Sequence, residues 1–569
     1  MSRAVGIDFG TTNSVICVLD GCEPLVIPNQ RGERVTPSVV AFTKEGDLLV
    51  GTAAKNQSVI NHERTIKSVK RNIGDNFRMD IDGQEYNAIQ IASIIISKLK
   101  DCAEVYLDEP VTEAIITVPA YFNDGQRQAV KRAGEIAGLN VMRLINEPTA
   151  AALSYGLSKK EQGQILVFDL GGGTFDVSIL DISDDVYEVL ATRGNNCLGG
   201  DDFDARLVHF ICEEFRKSHG INLNEDRMAL QKVIDAAEQA KKELSEANQT
   251  SINLPFISAD EKGPKHLELT ITRQKFEELI YDYMDEIFEL VDATLDDAGT
   301  EHDEIDSVVL VGGSTRIPVV QKLLEDRFPN RVMRNVNPDE CVASGAAIQA
   351  GVMKGNLRGL VLVDVAPLTL GIETENDVFI PIIDRNSCIP TTKSRIFTTV
   401  SDRQTSVEVH VLQGERARAS QNYSLGKFAL DGIPPDEKGA PRIEVIFDID
   451  VNGIVHVRAR DENTGQCNEI EINASDSITD EQIEKILQEA TAHREEDELF
   501  LGRQLLIKQA KLLLTKIRDR IDSEEQLSDR MEIQELIEYI ENVLRGNDIQ
   551  QIRTAIETMS IYLNELAAV

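Results

Sequence analysis

Two short segments combine an aspartate, glycines and a threonine in an order that suits the binding of phosphate groups. Asp8 is followed by Phe-Gly-Thr-Thr, and Asp169 is followed by Leu-Gly-Gly-Gly-Thr. Glycine allows the backbone to approach an anionic ligand closely, so backbone N–H groups and the threonine hydroxyl can receive phosphate oxygens. Two carboxylates facing each other across a cleft also suit a Mg²⁺ ion that keeps several of its waters. The pair of segments therefore predicts a magnesium nucleotide site.

Each segment lies in a glycine-rich turn between two strand-like runs. The segments cover 5–19 and 165–180, and a third glycine pair, Gly312-Gly313, follows an apolar strand-like run within 308–318. Two hairpins of the same design indicate two structurally related halves. The alternative interpretation is a pair of ordinary glycine-rich hairpins, which a single copy would favour. Two copies together with the third glycine pair favour the nucleotide site.

Other phosphate-binding signatures are excluded. The chain has no GxxxxGK[ST] sequence, and the glycines at 171–173 lead into a strand rather than the helix that a dinucleotide fingerprint requires. The adenine is expected to be held elsewhere. On the predicted helix over 227–246, four polar side chains share one face, and from the residues alone a solvated charged face is the favoured interpretation. These four residues are Glu238, Lys241, Lys242 and Ser245.

The pattern of apolar and polar residues changes after residue 356. Residues 364–475 alternate apolar and polar side chains with a period of two, which predicts an antiparallel sheet module. Residues 476–569 contain no proline and carry Leu and Ile at helical spacing, which predicts an all-helical region with an N-cap signal at Thr479.

Composition narrows the functional class. The chain of 569 residues has a formal net charge of −37, which disfavours nucleic acid and anionic membranes as partners and favours a soluble monomer. Its 8 cysteines are scattered without a CxxC pair, so neither a zinc site nor a disulfide framework is predicted. The N-terminus enters a strand-like run at once, and no apolar stretch approaches about 18 residues. A cytoplasmic protein with reduced thiols is the expectation.

The sequence resembles the heat-shock 70-kDa chaperone family, and most closely its bacterial DnaK-like branch. The resemblance covers the chain from residue 1 to about 500 and rests on long motifs that occur in the family's order. These motifs span 7–14, 118–124, 146–152, 169–176, 198–204, 311–318, 411–416 and 448–454.

The resemblance implies a multidomain fold. Residues 1–358 would form a two-lobed α/β ATPase domain of the actin-like (ribonuclease-H-like) type, and 359–363 an interdomain linker. Residues 364–475 would form an antiparallel β-sandwich that binds peptides, and 476–569 an all-α helical lid. The implied activity is that of an ATP-dependent chaperone, associated with the stress response, that binds extended hydrophobic segments of unfolded or nascent polypeptides. The implied partners are a J-domain co-chaperone and a nucleotide-exchange factor of the GrpE type.

The resemblance also implies how ATP or ADP and Mg²⁺ are bound. The implied catalytic residues are Lys70, Glu147, Asp169, Thr174, Asp176 and Asp8, with Asp8 and Asp169 holding magnesium through water. The implied nucleotide-binding residues are Gly10, Thr11, Thr12, Asn13, Gly171, Gly172, Gly173, Gly199, Gly200, Glu238, Lys241, Lys242, Ser245, Gly312, Gly313, Ser314, Arg316 and Asp339. For the helix that carries Glu238, this implication replaces the solvated-face interpretation.

A peptide site and a relay between domains are implied in the same way. The peptide-site residues are Ile372, Glu375, Phe397, Val400, Val407, Val409, Val411 and Ile443. For Val409 and Val411, the inner face of a β-sandwich is an equal alternative. Glu375 and Val400 fall on the arch over the pocket, where a carboxylate either favours basic peptides or points to solvent. The relay residues are Pro119, Arg127, Arg143, Leu360, Val361, Leu362, Val363 and Asp364, with Arg143 matching a position that docks the J-domain partner.

Two other functions are compatible with parts of the chain. An actin-like small-molecule kinase or filament protein would account for 1–358 but would leave 364–475 without a role. A chaperone dedicated to one client, resembling the iron–sulfur assembly paralogue, would account for both halves.

Overall fold

The computed structural model describes residues 3–159, 162–183, 186–261, 263–334, 336–357, 360–471, 493–523, 530–546 and 548–568. The predicted N-cap at Thr479 lies outside these residues. The chain contains two α/β lobes, a β module and a group of helices.

The first lobe is built on a six-stranded mixed sheet in the order β11-β10-β1-β2-β3, with β4 beside β2. Its elements are β1 (Arg3–Phe9), β2 (Asn13–Asp20), β3 (Glu23–Val26), β4 (Thr36–Pro37), β5 (Val40–Phe42), β6 (Leu48–Val50), α1 (Thr52–Asn56), β7 (Thr65–Ile66), β8 (Arg78–Ile81), β9 (Gln84–Asn87), α2 (Ala88–Leu107), β10 (Val111–Val118), α3 (Asp124–Ile136), β11 (Asn140–Asn146) and α4 (Glu147–Lys159). The apolar faces of α2 and α3 cover this sheet and form one core with it.

The second lobe is built on a seven-stranded sheet in the order β18-β17-β12-β13-β14-β19-β22. Its last two strands, β19 (Val361–Val365) and β22 (Cys388–Ile389), come from the later part of the chain. The elements over 163–353 are β12 (Gly163–Leu170), β13 (Phe175–Ser183), β14 (Val186–Asn195), α5 (Gly200–His219), α6 (Arg227–Glu246), β15 (Gln249–Asp260), β16 (Gly263–Thr272), α7 (Arg273–Leu279), α8 (Tyr281–Ala298), β17 (Ser307–Val311), α9 (Pro318–Arg327), β18 (Val332–Met333) and α10 (Cys341–Met353). Of these, α10 returns to the first lobe and packs against β1 and β2. The helical stretch over 273–298 is divided between α7 and α8, because Ile280 leaves the helical conformation.

The two lobes share the arrangement that the sequence repeat predicts. In the first lobe, β1 pairs antiparallel with β2 and parallel with β10. In the second lobe, β12 pairs antiparallel with β13 and parallel with β17. Each lobe therefore presents one tight hairpin turn from the centre of its sheet, and these two turns carry the aspartate and glycine motifs.

The β module consists of two four-stranded antiparallel sheets, in the orders β21-β20-β24-β25 and β23-β26-β27-β28. The strands of this part of the chain are β19 (Val361–Val365), β20 (Leu370–Thr374), β21 (Val378–Ile383), β22 (Cys388–Ile389), β23 (Thr391–Phe397), β24 (Ser406–Gln413), β25 (Tyr423–Asp431), β26 (Ile443–Ile449), β27 (Val455–Asp461) and β28 (Cys467–Glu471). Alternating side chains from both sheets share one apolar core, as in a β-sandwich.

The predicted linker is a strand in this structure. From Val361 onward it forms β19, which pairs parallel with β14 of the second lobe and antiparallel with β22. The apolar character of this segment suits an added strand at the edge of a sheet. The pairing places the β module directly against the two lobes.

The described helices of the C-terminal region are α11 (Arg494–Ser523), α12 (Arg530–Arg545) and α13 (Ile549–Ala568). They share a core around Ala510, Ile517, Ile540, Ile552 and Met559, all of which are buried. Residues at helical spacing on each sequence segment supply this core, as the periodicity predicts.

Candidate nucleotide site and its connections

The turns of the two hairpins face each other across a cleft between the lobes. Asp8 lies near the end of β1 and Asp169 near the end of β12, so both carboxylates reach the same cleft. The cleft encloses roughly 600 Å³ of space that includes open solvent, a size suited to a small-molecule ligand. The predicted residues that line it are Asp8, Gly10, Thr11, Thr12, Asn13, Lys70, Glu147, Asp169, Gly171, Gly172, Thr174, Gly312, Gly313 and Asp339.

Two glycines beside the cleft leave no room for a side chain. A Cβ atom on Gly199, at the start of α5, would lie 2.6 Å from the backbone of Gly172, and one on Gly172 would lie 1.8 Å from the hydroxyl oxygen of Thr12. Neither contact is sterically allowed in this arrangement, so a side chain at either position would force its neighbour to move. The hydroxyl of Thr12 is buried without a hydrogen-bond partner in the described structure, a donor that a phosphate oxygen would satisfy.

Lys70 is the buried cation of the cleft. It lies in a 3-10 turn over Val69–Asn72, is 2% exposed, and donates to the Glu147 carboxylate at 2.5 Å. Its ammonium also lies 5.7 Å from the centre of the Phe122 ring. Because a buried charge is tolerated only when paired, Glu147 fixes the lysine at the cleft. Glu147 is the first residue of α4, which begins directly after the end of β11, and this junction sets the position of the carboxylate.

The carboxylates beside Lys70 have perturbed acidities. Burial raises the pKa of Asp8 to about 7, and the negative charge of Glu147 acts in the same direction. Burial also raises the pKa of Asp169, with further contributions from Glu147 and Asp176. Asp176 is fully buried next to this group. Crowded carboxylates of this kind are stabilised by added positive charge, which a divalent cation would supply.

The donor set fits a magnesium ion that is held through water. Among the residues that the structure describes, no three His, Cys, Asp or Glu side chains converge closely enough to ligate a metal directly. Asp8 and Asp169 both reach the cleft, and hard oxygen donors of this type bind the waters of Mg²⁺.

The predicted adenosine residues separate into two groups. Ser314 lies at the cleft edge and donates to the backbone oxygen of Gly171 at 2.9 Å, and Arg316 donates to Asp339 at 2.6 Å. The residues of α6 form the second group and are likewise hydrogen-bonded to protein groups. Lys241 donates to Gly200 and Asp204, Ser245 donates to the backbone of Lys241, and Glu238 accepts from Lys55 and Lys242.

A row of polar contacts joins the lobes at the mouth of the cleft. Lys55 donates to both carboxylate oxygens of Glu238 at 2.8 Å, and Lys67 lies 3.3 Å from Asp235. Lys55 and Lys242 together outweigh the burial of Glu238 and lower its pKa to about 2. The carboxylate therefore stays ionised near neutral pH, and the contact holds the lobes together there.

Replacing Lys55 with methionine is expected to speed the release of bound ADP by about three- to tenfold. The reason is that a partly buried, charge-assisted hydrogen bond contributes on the order of 1 kcal/mol to the closed arrangement. Displacement of a fluorescent ADP analogue in a stopped-flow instrument measures this rate. Lys44→Met, at an exposed lysine of the same lobe, is the matched control. An unchanged rate for the Lys55 variant would contradict the role of this contact.

Several cleft residues are not among the site residues that the sequence predicts. Val15, Val35, Val311, Pro338 and Val342 supply apolar wall, and each except Val35 lies within three residues of a predicted member. Arg71 follows Lys70 directly and donates to the Gly173 carbonyl and to Asp202, so it ties the two lobes together. Proximity in sequence to the motifs is the signal that could have found most of them.

The predicted peptide-site residues converge on the core of the β module. Ile372, Val409, Val411 and Ile443 are buried in one cluster, with Phe397 and Val407 partly buried against it. Glu375 and Val400 lie on loops beyond the strand ends, and both are exposed. The structure thus brings the apolar members together and leaves the two arch residues at the surface.

The predicted relay residues lie where the first lobe meets the β module. Pro119 follows β10, and the capping box of α3, formed by Asn123 and Gln126, places Arg127 at the contact. Arg127 donates to the Asn146 side chain at 2.7 Å and to the backbone oxygen of Asn452 at 3.3 Å.

The rest of this junction is formed by the linker strand and the turn before β27. The Asn146 amide donates to Asp364 at 2.7 Å. The Asn452 side chain accepts from Leu144, and Asp124 accepts from the backbone of Val455. Arg143 is partly buried, with the carboxylates of Asp364 and Asp450 nearby. The predicted members Leu360 and Leu362 pack against the apolar core between the lobes.

Within the described part of the chain, no helix is both long enough and apolar enough to cross a bilayer.

Comparison with known protein families identifies a match over nearly the whole chain. The family model described as Hsp70 protein matches residues 4–569 of this chain. The matched region therefore includes the nucleotide cleft, the β module and the C-terminal helices.

Proposed function

The chain belongs to the Hsp70 family, and we propose on that premise that it is an ATP-dependent chaperone of the DnaK-like type. Members of the family are ATPases that work on client polypeptides with J-domain and nucleotide-exchange co-chaperones. In this proposal, nucleotide in the cleft controls the affinity of the β module for short, extended, hydrophobic segments of unfolded proteins. The co-chaperones would be a J-domain protein, docking near Arg143, and an exchange factor of the GrpE type.

The main support for the proposal is a direct link between the nucleotide cleft and the linker strand. Glu147, which pairs with Lys70 in the nucleotide cleft, directly follows Asn146, whose side chain bonds Asp364 of the linker strand. A displacement of Glu147 is therefore transmitted across a single peptide bond to the contact that holds the β module. A two-state arrangement whose contacts differ in the two states is what couples one binding site to another.

The residues of the cleft have the chemistry that phosphoryl transfer to water needs. Such a reaction depends mainly on positioning and on neutralising the charge of the transferring group. In the proposal, Lys70 supplies a positive charge beside that group, Thr174 offers a hydroxyl, and the backbone N–H groups of the two glycine-rich turns hold the phosphates. Asp8, Asp169 and Glu147 would hold Mg²⁺ through its waters. Bound Mg²⁺ would neutralise phosphate charge.

The β module supplies the proposed peptide site. Backbone hydrogen bonds to an extended peptide give affinity that tolerates many sequences, and one apolar pocket gives preference. Ile372, Val409 and Phe397 belong to the cluster from which that pocket would form. A small-molecule kinase would not need this module, and the family match extends through it.

The experiment that tests the proposal is the ATPase rate of the full chain with and without an unfolded peptide. Stimulation by the peptide, together with release of a labelled peptide on addition of ATP, is expected. Hydrolysis that ignores the peptide would contradict the proposed coupling. A peptide array would separate a general chaperone, with broad binding to Leu-rich segments, from a chaperone dedicated to one client, with a single strong motif.

A further inference from the structure

Three polar side chains on the β module follow one another through hydrogen bonds. The Nδ1 atom of His410 lies 2.6 Å from the Glu373 carboxylate, and its Nε2 atom lies 2.8 Å from the hydroxyl oxygen of Ser424. A carboxylate, an imidazole and a serine hydroxyl occur in this order in serine hydrolases. Both distances are within the range that a general base needs toward its nucleophile and toward the group that orients it. We call these three residues the serine triad.

Strand pairing brings the first two members of the triad together. Glu373 lies on β20 and His410 on β24, and these strands are antiparallel neighbours. Ile372 pairs with Val411, so Glu373 and His410 come opposite each other one position further along the two strands. Ile372 and Val411 are both buried in the core of the sandwich. Because side chains alternate along a strand, Glu373 and His410 share the outer face of the sheet.

A β-bulge turns the third member of the triad to the same face. On β24, Val411 lies opposite Gly426 of β25, and the next residue lies opposite Ser424. Leu425 is therefore an extra residue on β25, and its side chain is buried in the core. The extra residue reverses the alternation, which places Ser424 on the outer face beside His410. Bulges that re-aim a side chain in this way are common next to functional sites.

The carboxylate determines which nitrogen of the imidazole can accept a proton. An ionised Glu373 accepts hydrogen bonds and donates none, so the proton of the neutral imidazole is on Nδ1. The Nε2 atom then carries a lone pair, and the Ser424 hydroxyl donates to it. In this tautomer, His410 has the arrangement of a general base toward the hydroxyl.

The triad is open to solvent at its serine end. Ser424 is exposed, whereas the side chains of His410 and Glu373 are 17% and 36% exposed. A small molecule can therefore reach the hydroxyl while the imidazole is held from both sides. None of the three residues lines the nucleotide cleft or belongs to the apolar cluster of the predicted peptide pocket. The triad is thus separate from both sites of the proposed chaperone function.

We propose that Ser424 is an acylation site, a nucleophilic serine that takes the acyl group of an activated carboxylic ester. His410 is the general base, and Glu373 is a positioning residue that orients the imidazole. The Ser424 oxygen forms a bond to the carbonyl carbon of the ester while its proton moves to Nε2 of His410. The bond from that carbon to the leaving oxygen then breaks, and this oxygen keeps the bonding electrons and takes the proton from Nε2. The products are acylated Ser424 and an alcohol or phenol.

Ser394 is a matched control within the same module. It lies on β23 of the other sheet, is exposed, and donates to the Glu444 carboxylate at 2.8 Å. Its hydrogen-bond partner is thus a carboxylate where that of Ser424 is an imidazole. A comparison of the two serines in one sample separates activation by the triad from the reactivity of an exposed, hydrogen-bonded serine.

The test treats the full chain with 4-nitrophenyl acetate and follows the initial rate of acetylation at each serine by mass spectrometry of proteolytic peptides. Ser424 is expected to react at least about 100-fold faster than Ser394, the lower end of the range for general-base catalysis. His410→Gln is expected to remove this advantage. Glu373→Gln is expected to reduce it by about tenfold, since a hydrogen bond to a charged group is lost, and Glu373→Asp should retain more of it because it keeps the carboxylate.

The outcomes decide between an activated serine and a network that only stabilises the sheet. Rates at Ser424 that fall in the variants while the rate at Ser394 is unchanged support the proposal. Equal acetylation of the two serines in the wild type overturns it. Wild-type acetylation of Ser424 in His410→Gln or Glu373→Gln also overturns it, since activation would not then depend on the triad. An equal fall at Ser394 does the same, because the substitution would then act on the module as a whole.

Discussion

Replacing Lys70 with alanine is expected to lower the single-turnover rate of ATP hydrolysis by about 100- to 1,000-fold, while ATP binding stays nearly intact. This range is typical for the removal of one preorganised group that stabilises charge in the transition state. Binding persists because the glycine-rich turns and their hydroxyls, including the buried Thr12, remain in place. The measurement is the decay of pre-bound labelled ATP, alongside equilibrium titration with ATP.

Two further variants keep this prediction falsifiable. Lys70→Ala leaves the buried Glu147 carboxylate without its cation, which by itself can destabilise the lobe. Lys70→Met fills more of the space, and its thermal unfolding reports whether the lobe survives. Lys67→Ala removes a lobe contact three residues away and should hydrolyse bound ATP at the wild-type rate. Normal single-turnover hydrolysis in a folded Lys70 variant would remove this residue from the mechanism.

The cleft could be predicted from the sequence because its parts are local. In each hairpin, the aspartate and the glycines lie within a few residues of one another, and the steric freedom of glycine is a property of the residue itself. Strand pairing then brings Asp8 and Asp169 to equivalent places in two similar sheets. Burial, which decides the acidity of these carboxylates, depends on both lobes and does not appear in either motif.

Contacts between distant segments could not be predicted in this way. Lys55 and Glu238 are on different lobes, and nothing near either residue indicates the other. The residues around Glu238 favour a solvated face, and the family resemblance implies the adenosine pocket, but neither indicates Lys55. The structure pairs Glu238 with Lys55 and Lys242, and its role in the adenosine pocket stays a prediction. Long-range ion pairs of this kind depend on how the lobes close, and closure is a property of the whole fold.

In the β module too, the local sequence pattern predicts which side chains share a face of a sheet but not how distant segments pack. Alternation along β24 predicts that Val407, Val409 and Val411 point to one side of the sheet, which holds for any sandwich. In the structure all three belong to the apolar core, with Val407 only partly buried. Because any β-sandwich would bury these valines, their burial does not identify a peptide pocket. The pocket therefore stays a prediction. The pairing of Glu375 with Lys438, whose charged groups lie 3.9 Å apart, depends on loop positions that alternation does not determine.

The contact between Asp364 and the first lobe is expected to control coupling between the two halves of the molecule. Asp364 is 5% exposed, accepts from Asn146 at 2.7 Å, and lies near the charge of Arg127. Asparagine has nearly the same shape as aspartate but carries no charge. It also replaces one carboxylate oxygen, which accepts a hydrogen bond, with an NH2 group that would face another donor. A buried hydrogen bond to a charged group contributes about 1.5 to 3 kcal/mol.

Asp364→Asn is therefore expected to shift the equilibrium away from the docked arrangement by about 10- to 100-fold. Peptide stimulation of the ATPase and ATP-driven release of peptide should both be lost. ATP binding should persist, because Asp364 does not line the cleft. Asp384→Asn, at an exposed acidic residue of the same module, is the control and should behave as wild type. Full peptide stimulation in Asp364→Asn would show that the contact does not carry the coupling.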